Sequence, residues 1–327
     1  MKKVLITIFN FFVILFFCLV IAEVTLIITG YHYSPLRLKE PEEFVKGLDK
    51  TDWRLHHIAH DRYCVYDHQL IWRPRSNYGP FNSQGFRGAL LNPLKQPNEF
   101  RILVVGDSNS AGPVYSPGWP GYLQELFHSN NSSITVTNAS CWGYSSYQGL
   151  KRFEEILKYR PDMVLISFGA NDAHRVKISD KDYIKRTRWV NLNMAKFRLI
   201  QLGIAFSDAL LARLQKSNNL KARVSLQEYG ENLRRMVYLA RLNNIKIIFL
   251  TRPFIGSSHH PLWWKNFAPD YNSLTKQIAN ENNCGLIDLY GEFKDKEVYF
   301  YDESHFNDPG FKLAAEIIYN NLKKLRK

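Results

Sequence analysis

Five short apolar runs, separated by helical patterns, limit the fold of this 327-residue chain more than any other feature. The runs cover residues 100–106, 134–138, 162–169, 245–251 and 285–289, and each is rich in Val, Ile or Leu. Helix-spaced apolar residues occur near 118–128, 147–158, 224–243, 270–283 and 309–324. Strands that alternate with helices predict a parallel sheet that is covered by helices on both faces.

The first thirty residues differ from the rest. Residues 4–22 form a run of 19 residues without a charge, and Glu23 follows it. About 20 apolar residues span a bilayer as a helix, and a cleaved signal peptide usually has only about 7–15. We therefore predict a signal anchor over residues 1–30, with cleavage after Ala22 as the alternative. Lys2 and Lys3 favour a cytoplasmic N-terminus and an extracytoplasmic remainder of the chain.

Charge and cysteine content narrow the class of partner. The formal net charge of +13 favours acidic partners such as anionic lipid or acidic glycan. No nucleic-acid-binding motif accompanies this charge, so nucleic acid is not an expected partner. The four cysteines, Cys18, Cys64, Cys141 and Cys284, include no CxxC pair. Neither a disulfide scaffold nor a thiolate metal site is expected, and no cofactor is implied.

Three further segments follow the anchor. Residues 31–98 are polar and rich in Pro, Arg and Tyr, which predicts a linker and a small substructure packed on the main domain. The main domain is expected over 99–327, with an insertion at 174–222. The first part of the insertion holds eight basic residues: Arg175, Lys177, Lys181, Lys185, Arg186, Arg188, Lys196 and Arg198. Residues 197–214 then carry helix-spaced apolar side chains.

This insertion has two interpretations. One is a solvated basic segment followed by a helix packed on the body. The other is a cap at the rim of the site that selects an anionic substrate or touches the membrane surface.

In open parallel sheets, ligands bind outside the carboxyl ends of the strands. Ser108 follows the first predicted strand in the stretch GDSNSAG, where its hydroxyl is exposed at that edge. Its alternative role is a helix cap. Gly143 follows the second strand and permits close approach of a backbone N–H to a substrate, or serves only the turn. Asn171 follows the third strand and is an oxyanion donor or an Asx-turn residue.

The stretch DESHFNDPG follows the fifth strand and contains His305, a candidate general base. A neutral His305 accepts a proton from a hydroxyl, and Asp302 holds its other ring nitrogen. Asp308 is the expected N-cap of the last helix, with Pro309 at its first position. Glu303 and Ser304 are interpreted as spacer.

The four blocks in this order resemble the SGNH (GDSL-type) hydrolase superfamily, in its membrane-anchored bacterial form. They are Gly106-Asp107-Ser108, Gly143, Gly169-Ala170-Asn171-Asp172 and Asp302-x-x-His305. The resemblance covers roughly residues 98–325 and departs at Ala170, where many members carry Thr. It implies a three-layer α/β/α sandwich of the flavodoxin-like kind, with a five-stranded, mostly parallel sheet.

The resemblance also implies the roles. Ser108 would be the nucleophile, His305 the general base and Asp302 its orienting carboxylate, as a catalytic triad. The oxyanion hole would be the amides of Ser108 and Gly143 and the side chain of Asn171. The implied activity is a serine esterase on O-acyl (acetyl) groups of a cell-surface glycan or lipid. The net positive charge and the basic insertion extend this expectation to anionic substrates. An O-acyltransferase with the same triad is the first alternative, and a non-catalytic envelope scaffold is the second. Oligomeric state is not readable from the sequence.

Overall fold

The computed structural model describes residues 2–31, 63–67, 69–130, 133–176, 178–187, 194–214, 220–255 and 262–325. Its strands are β1 (Cys64–Asp67), β2 (Ile71–Pro74), β3 (Phe100–Gly106), β4 (Ile134–Asn138), β5 (Met163–Ser167), β6 (Arg175–Val176), β7 (Lys221–Ala222), β8 (Lys246–Leu250) and β9 (Gly285–Ile287). Its α-helices are α1 (Lys2–Ile28), α2 (Ser108–Ala111), α3 (Gly118–Ser129), α4 (Ser146–Ile156), α5 (Ala170–Ala173), α6 (Asp180–Thr187), α7 (Arg198–Leu214), α8 (Leu226–Leu242), α9 (Leu262–Glu281), α10 (Leu289–Glu292) and α11 (Asp308–Leu325). Lys177 and Arg188 of the basic insertion lie outside the described residues.

The central sheet has the order β4-β3-β5-β8-β9, and each neighbouring pair is parallel. All five predicted strands are therefore confirmed, with ends that differ by up to two residues. Because every strand runs in the same direction, the loops that follow β3, β4 and β5 meet at one edge of the sheet.

Side chains of the strands alternate between the two faces of the sheet, and each face has its own hydrophobic core. Leu103 and Val105 of β3 pack on one face, with side chains from α4, α8 and α9. Ile102 and Val104 pack on the other face, with side chains from α3 and α11. Successive side chains of a strand point to opposite faces, so both faces of this sheet are buried. The three-layer α/β/α sandwich is confirmed.

The hairpin β1–β2 is antiparallel and lies in the same core as the first face of the sheet. Cys64 and Trp72 are buried there at 2% and 1% exposure. The Cys64 and Cys141 Sγ atoms lie 3.9 Å apart and form no disulfide bond. The N-terminal segment, as far as residues 63–98 describe it, therefore packs on the sheet rather than standing apart from it.

Helix α1 contains the apolar run of the anchor prediction. Its mean hydropathy reaches 3.0 over an 18-residue window, and none of that window is buried. Among the described residues it is the one helix whose length and composition suit a membrane span. Its 27 residues correspond to about 40 Å at about 1.5 Å per residue, enough to cross a hydrocarbon core of about 30 Å.

Candidate active site

Ser108, His305 and Asp302 form one hydrogen-bonded line at the carboxyl edge of the sheet. Ser108 Oγ lies 2.8 Å from His305 Nε2. His305 Nδ1 lies 3.0 Å from each carboxylate oxygen of Asp302. Ser108 and His305 are 197 residues apart in the sequence. The three side chains thus have the geometry of a nucleophile, a base and an orienting acid.

The charge of Asp302 decides which ring nitrogen of His305 carries the proton. Burial alone would raise the pKa of Asp302. The facing imidazole and the backbone N–H groups of Ser304 and His305 outweigh burial and lower that pKa to about 2. An ionised carboxylate only accepts hydrogen bonds, so Nδ1 is the protonated nitrogen of a neutral His305. The lone pair of Nε2 then faces the Ser108 hydroxyl.

The turn that carries Ser108 is fixed on both sides. Gly106 ends β3 where an added Cβ would lie 2.5 Å from Ser110 Oγ and 2.9 Å from the Ser167 carbonyl oxygen, so only glycine fits. Asp107, which is fully buried, caps α2 by accepting a hydrogen bond from the Asn109 N–H at 2.9 Å. Ser108 begins the helix and is 7% exposed.

The loop that carries the base differs from the prediction at two positions. Ser304 is not a spacer, because its Oγ lies 3.1 Å from His305 Nδ1 and its N–H donates to Asp302 at 2.8 Å. Asn307, rather than Asp308, caps the last helix: its side chain accepts from the Gly310 N–H, and its carbonyl accepts from the Phe311 N–H. Asp308 is already the first helical residue, and its carboxylate binds Lys312. Asparagine and aspartate both suit an N-cap, and the fold uses Asn307 in place of the predicted Asp308.

The three predicted oxyanion donors follow adjacent strands of the sheet. Ser108 follows β3, Gly143 follows β4 and Asn171 follows β5. Gly143 has a φ of 70°, a conformation that favours glycine. Asn171 donates one amide hydrogen to the Tyr144 carbonyl at 3.0 Å, and its second amide hydrogen is available to a ligand. Asn171 therefore ties the β5 loop to the β4 loop.

Two side chains outside these loops fix the backbone around Gly143. Trp72 of β2 donates its indole N–H to the Trp142 carbonyl at 3.1 Å. Arg223, directly after β7, donates to the Gly143 carbonyl at 2.6 Å. In a trans peptide the carbonyl and the following N–H point in opposite directions. Trp72 therefore sets the direction of the Gly143 N–H, and Arg223 fixes the next peptide unit.

Arg223 is held by a buried ion pair. Its Nε lies 2.8 Å from Asp180 Oδ1, and the two side chains are 2% and 0% exposed. Its Nη2 donates to Gln148 Oε1 at 2.6 Å. Asp180 also accepts from Ser145 Oγ at 2.6 Å. The start of the insertion, where Asp180 lies, is thus bonded to the loop that carries Gly143.

Arg252 joins the turn that carries Ser108 to the loop that carries His305, and the sequence interpretation did not single it out. Its Nε donates to Asp107 Oδ2 at 2.8 Å, and its Nη1 donates to the Ser304 carbonyl. Asn109 makes a second link by accepting from the Phe306 N–H at 3.0 Å. Its position in the sequence could have indicated this role, because Arg252 follows β8 at the same sheet edge as the other site residues.

Asp172 and His174 lie beside the site with displaced pKa values. Asp172 accepts from the Gly169 N–H and the Ser146 N–H, so it serves the loop and the start of α4. Burial raises its pKa to about 7. Burial, assisted by the Arg223 charge, lowers the pKa of His174 to about 4. No group of three or more His, Cys, Asp or Glu side chains suited to a metal ion occurs within the described part of the chain.

Comparison with known proteins finds curated relatives that match part of the chain. The chain is 38% identical over 89 residues to an arylesterase of Vibrio mimicus, which is 26% of this chain and 44% of the relative. It is 42% identical over 77 residues to thioesterase 1/protease 1/lysophospholipase L1 of Escherichia coli (strain K12), which is 23% of this chain and 36% of the relative. The chain therefore spans less than half of the length of these relatives.

Solved structures match over a longer stretch. A catalytic mutant of the acetylxylan esterase Axe2 of Geobacillus stearothermophilus matches with a TM-score of 0.50 at 20% identity, over 70% of this chain and 96% of that one. A lipase/acylhydrolase of Enterococcus faecalis matches with a TM-score of 0.49 at 22% identity, over 69% of this chain and 96% of that one. At such identities the Axe2 match is a likeness of fold.

The family model described as GDSL-like Lipase/Acylhydrolase family matches residues 104–313. This range is more than half of the chain and begins within β3, before the turn that carries Ser108. It ends after the loop that carries Asp302 and His305 and includes the loops with Gly143 and Asn171. The chain therefore belongs to the GDSL-like lipase/acylhydrolase family.

Proposed function

We propose that this protein is a serine ester hydrolase that works through an acyl-enzyme. The observation that carries the proposal is the line from Ser108 Oγ through His305 to Asp302, with contacts of 2.8 and 3.0 Å. Family membership supports the same reaction class. Ser108 is the nucleophile, His305 the base and then the acid, and Asp302 the carboxylate that orients it.

The first half of the reaction forms the acyl-enzyme. Ser108 Oγ attacks the ester carbonyl while its proton passes to His305 Nε2, and Asp302 stabilises the imidazolium. The negative oxygen accepts hydrogen bonds from the N–H groups of Ser108 and Gly143 and from the Asn171 amide. The imidazolium then protonates the leaving alcohol. Water, activated by the same imidazole, attacks the acyl-enzyme and releases the acid.

The substrate class is the finer part of the proposal. The matched relatives carry names that refer to aryl esters, thioesters and lysophospholipids, so their names do not select one substrate. A net charge of +13 and the apolar helix α1 favour an acylated envelope glycan or lipid, including an anionic one. We propose that α1 anchors the chain in a membrane, with the catalytic part on the extracytoplasmic side.

The nucleophile is tested by Ser108→Ala. We expect kcat on a soluble ester to fall by roughly 10⁴–10⁶, because the acyl-enzyme no longer forms. Asn171→Ala should retain more activity, with a loss of roughly 10²–10³ for one oxyanion donor. Near-wild-type turnover by purified, folded Ser108→Ala would refute the assignment. A fluorophosphonate probe that labels the wild type but not this variant would exclude a non-catalytic scaffold.

The substrate is tested by product analysis. Purified full-length protein is incubated with an O-acetylated glycan, with and without an acceptor sugar, and free acetate and acylated acceptor are both measured. Release of acetate that is independent of acceptor supports hydrolysis. Acylated acceptor in place of acetate would instead identify an acyltransferase with the same triad.

A further inference from the structure

Helices α1 and α7 are joined at a carboxylate. Glu23 of α1 accepts hydrogen bonds from the N–H groups of Arg198 at 2.7 Å and Leu199 at 2.8 Å, one to each carboxylate oxygen. The first N–H groups of a helix have no partner within that helix. Glu23 thus supplies the cap of α7, and α1 is the main element that α7 packs against.

The position of Glu23 along α1 sets the depth of this junction. The 19 uncharged residues 4–22 before it correspond to about 28 Å of helix at about 1.5 Å per residue. That length matches a hydrocarbon core of about 30 Å. If α1 spans a membrane, Glu23 lies at its hydrocarbon boundary. The start of α7 lies at the same level.

One face of α7 is apolar and exposed. Leu202, Phe206 and Leu210 follow one another at intervals of four, and they are 41%, 69% and 45% exposed. Residues four apart lie on the same face of a helix, so the three side chains form a stripe. Gln201 and Ile204, at 6% and 5% exposure, mark the buried side. An exposed apolar stripe of this kind indicates an interaction surface.

We propose that the Leu202–Phe206–Leu210 stripe of α7 inserts into the interface of the bilayer that α1 spans, and this rests on the proposed anchoring of α1. The stripe belongs to the helix whose first turn Glu23 caps, and none of the apolar window of α1 is buried. A helix that lies in the interface buries such a face among lipid headgroups and acyl chains. The capped junction also satisfies Glu23, a carboxylate that would be costly in lipid without partners.

This contact would orient the active site relative to the membrane. The insertion leaves the sheet edge just after the Asn171 loop and returns through β7 to Arg223. Arg223 in turn binds the Gly143 carbonyl. Both ends of the insertion are therefore tied to the loops of the candidate oxyanion hole, so a membrane contact of α7 would place that hole near the lipid surface.

The experiment places an environment-sensitive fluorophore on single cysteines of the full chain in phosphatidylcholine–phosphatidylglycerol vesicles. The background is Cys18→Ala with Cys284→Ala, and the buried Cys64 and Cys141 are kept. One variant adds Phe206→Cys. The matched control adds Leu242→Cys, which is 63% exposed at the end of α8, next to the opposite edge of the sheet. A third sample keeps the native Cys18 of α1 as a positive control.

We expect the probe at residue 206 to shift to the blue in vesicles and to be quenched by lipids with nitroxide-labelled acyl chains. The probe at residue 242 should instead be quenched by aqueous iodide. Quenching by iodide at 206, or quenching by neither agent because a second copy covers the stripe, would overturn the inference. Lipid quenching at Cys18 shows whether the anchoring itself fails, and turnover of a soluble ester reports the proposed chemistry separately.

Discussion

The N-terminal hairpin and the insertion both support the loop around Gly143, but they do so by different physical means. The hairpin supplies Trp72, a neutral indole that donates to the Trp142 carbonyl from an aromatic core. The insertion supplies Asp180, which holds Arg223 against the Gly143 carbonyl. Loss of a neutral hydrogen bond costs about 0.5–1.5 kcal/mol, but loss of one member of a buried ion pair costs about 3–5 kcal/mol.

The two supports also touch each other. The Arg223 guanidinium lies over the Trp72 ring, 5.2 Å from its centroid. Contacts of this kind make the effects of two substitutions non-additive. One loop is therefore held by a charged and a neutral partner that contact each other, and single substitutions compare the cost of losing each partner.

The largest effect is expected from Arg223→Met. This change leaves Asp180 as an unpaired, fully buried charge, so the free energy of unfolding should fall by about 3–5 kcal/mol. Urea denaturation measures it. The matched control is the double variant Arg223→Met with Asp180→Leu, which removes both charges and should recover much of the loss. If Arg223→Met costs no more than Trp72→Phe, the contrast between the two supports is wrong.

A smaller effect, on catalysis, is expected from Trp72→Phe. The phenyl ring keeps most of the packing but cannot donate to the Trp142 carbonyl, so the Gly143 N–H is less well directed. We expect kcat to fall about tenfold with KM nearly unchanged, less than the roughly 10²–10³ for loss of an oxyanion donor itself. Steady-state kinetics on a soluble ester measures both constants.

Trp119→Phe is the control for this substitution. Trp119 is 2% exposed and packs on the other face of the sheet, away from the Gly143 loop. It should lose stability like Trp72→Phe but keep its kcat. An equal fall in kcat for both variants would mean that Trp72 acts through general packing rather than by directing the Gly143 N–H, the proposed oxyanion donor.

The smallest effect is a difference in pH dependence. His174, beside Arg223, has a pKa of about 4 in the folded protein against 6.5 as a free side chain. Because the folded pKa is the lower one, its contribution to stability is complete above 6.5 and is lost as the pH falls towards 4. His174→Gln should therefore lose less stability than the wild type between pH 7 and 4.5. A difference of about 2–4 °C in Tm corresponds to roughly 1 kcal/mol for a domain of this size.

This measurement also discriminates the two supports. Trp72 carries no titratable group, so Trp72→Phe should show the same change in Tm between pH 7 and 4.5 as the wild type. The prediction fails if the Tm of Trp72→Phe depends less on pH than that of the wild type. It also fails if the Tm of His174→Gln depends on pH as strongly as that of the wild type, because the pH dependence would then not come from His174 at the start of the insertion.

Much of the fold could be predicted from the sequence because its signals are local. The apolar runs predicted the five strands, and the helices between them predicted that the strands run parallel. Helix α9 shows where local signals end. The pattern predicted it from residue 270, but it begins at Leu262 and continues through Pro269. Proline normally marks a break, so the first turns of this helix were not recognised.

The sequence by itself determined the strands, their direction and the order of the motif blocks, and hence that Ser108, Gly143, Asn171, Asp302 and His305 meet at one edge. Only the tertiary structure decided what holds them in place. Trp72 and Trp142 are 70 residues apart, and Arg252 and Asp107 are 145 apart. Such contacts leave no local pattern, because indole and guanidinium groups find their carbonyl and carboxylate partners only after the sheet has brought distant loops together.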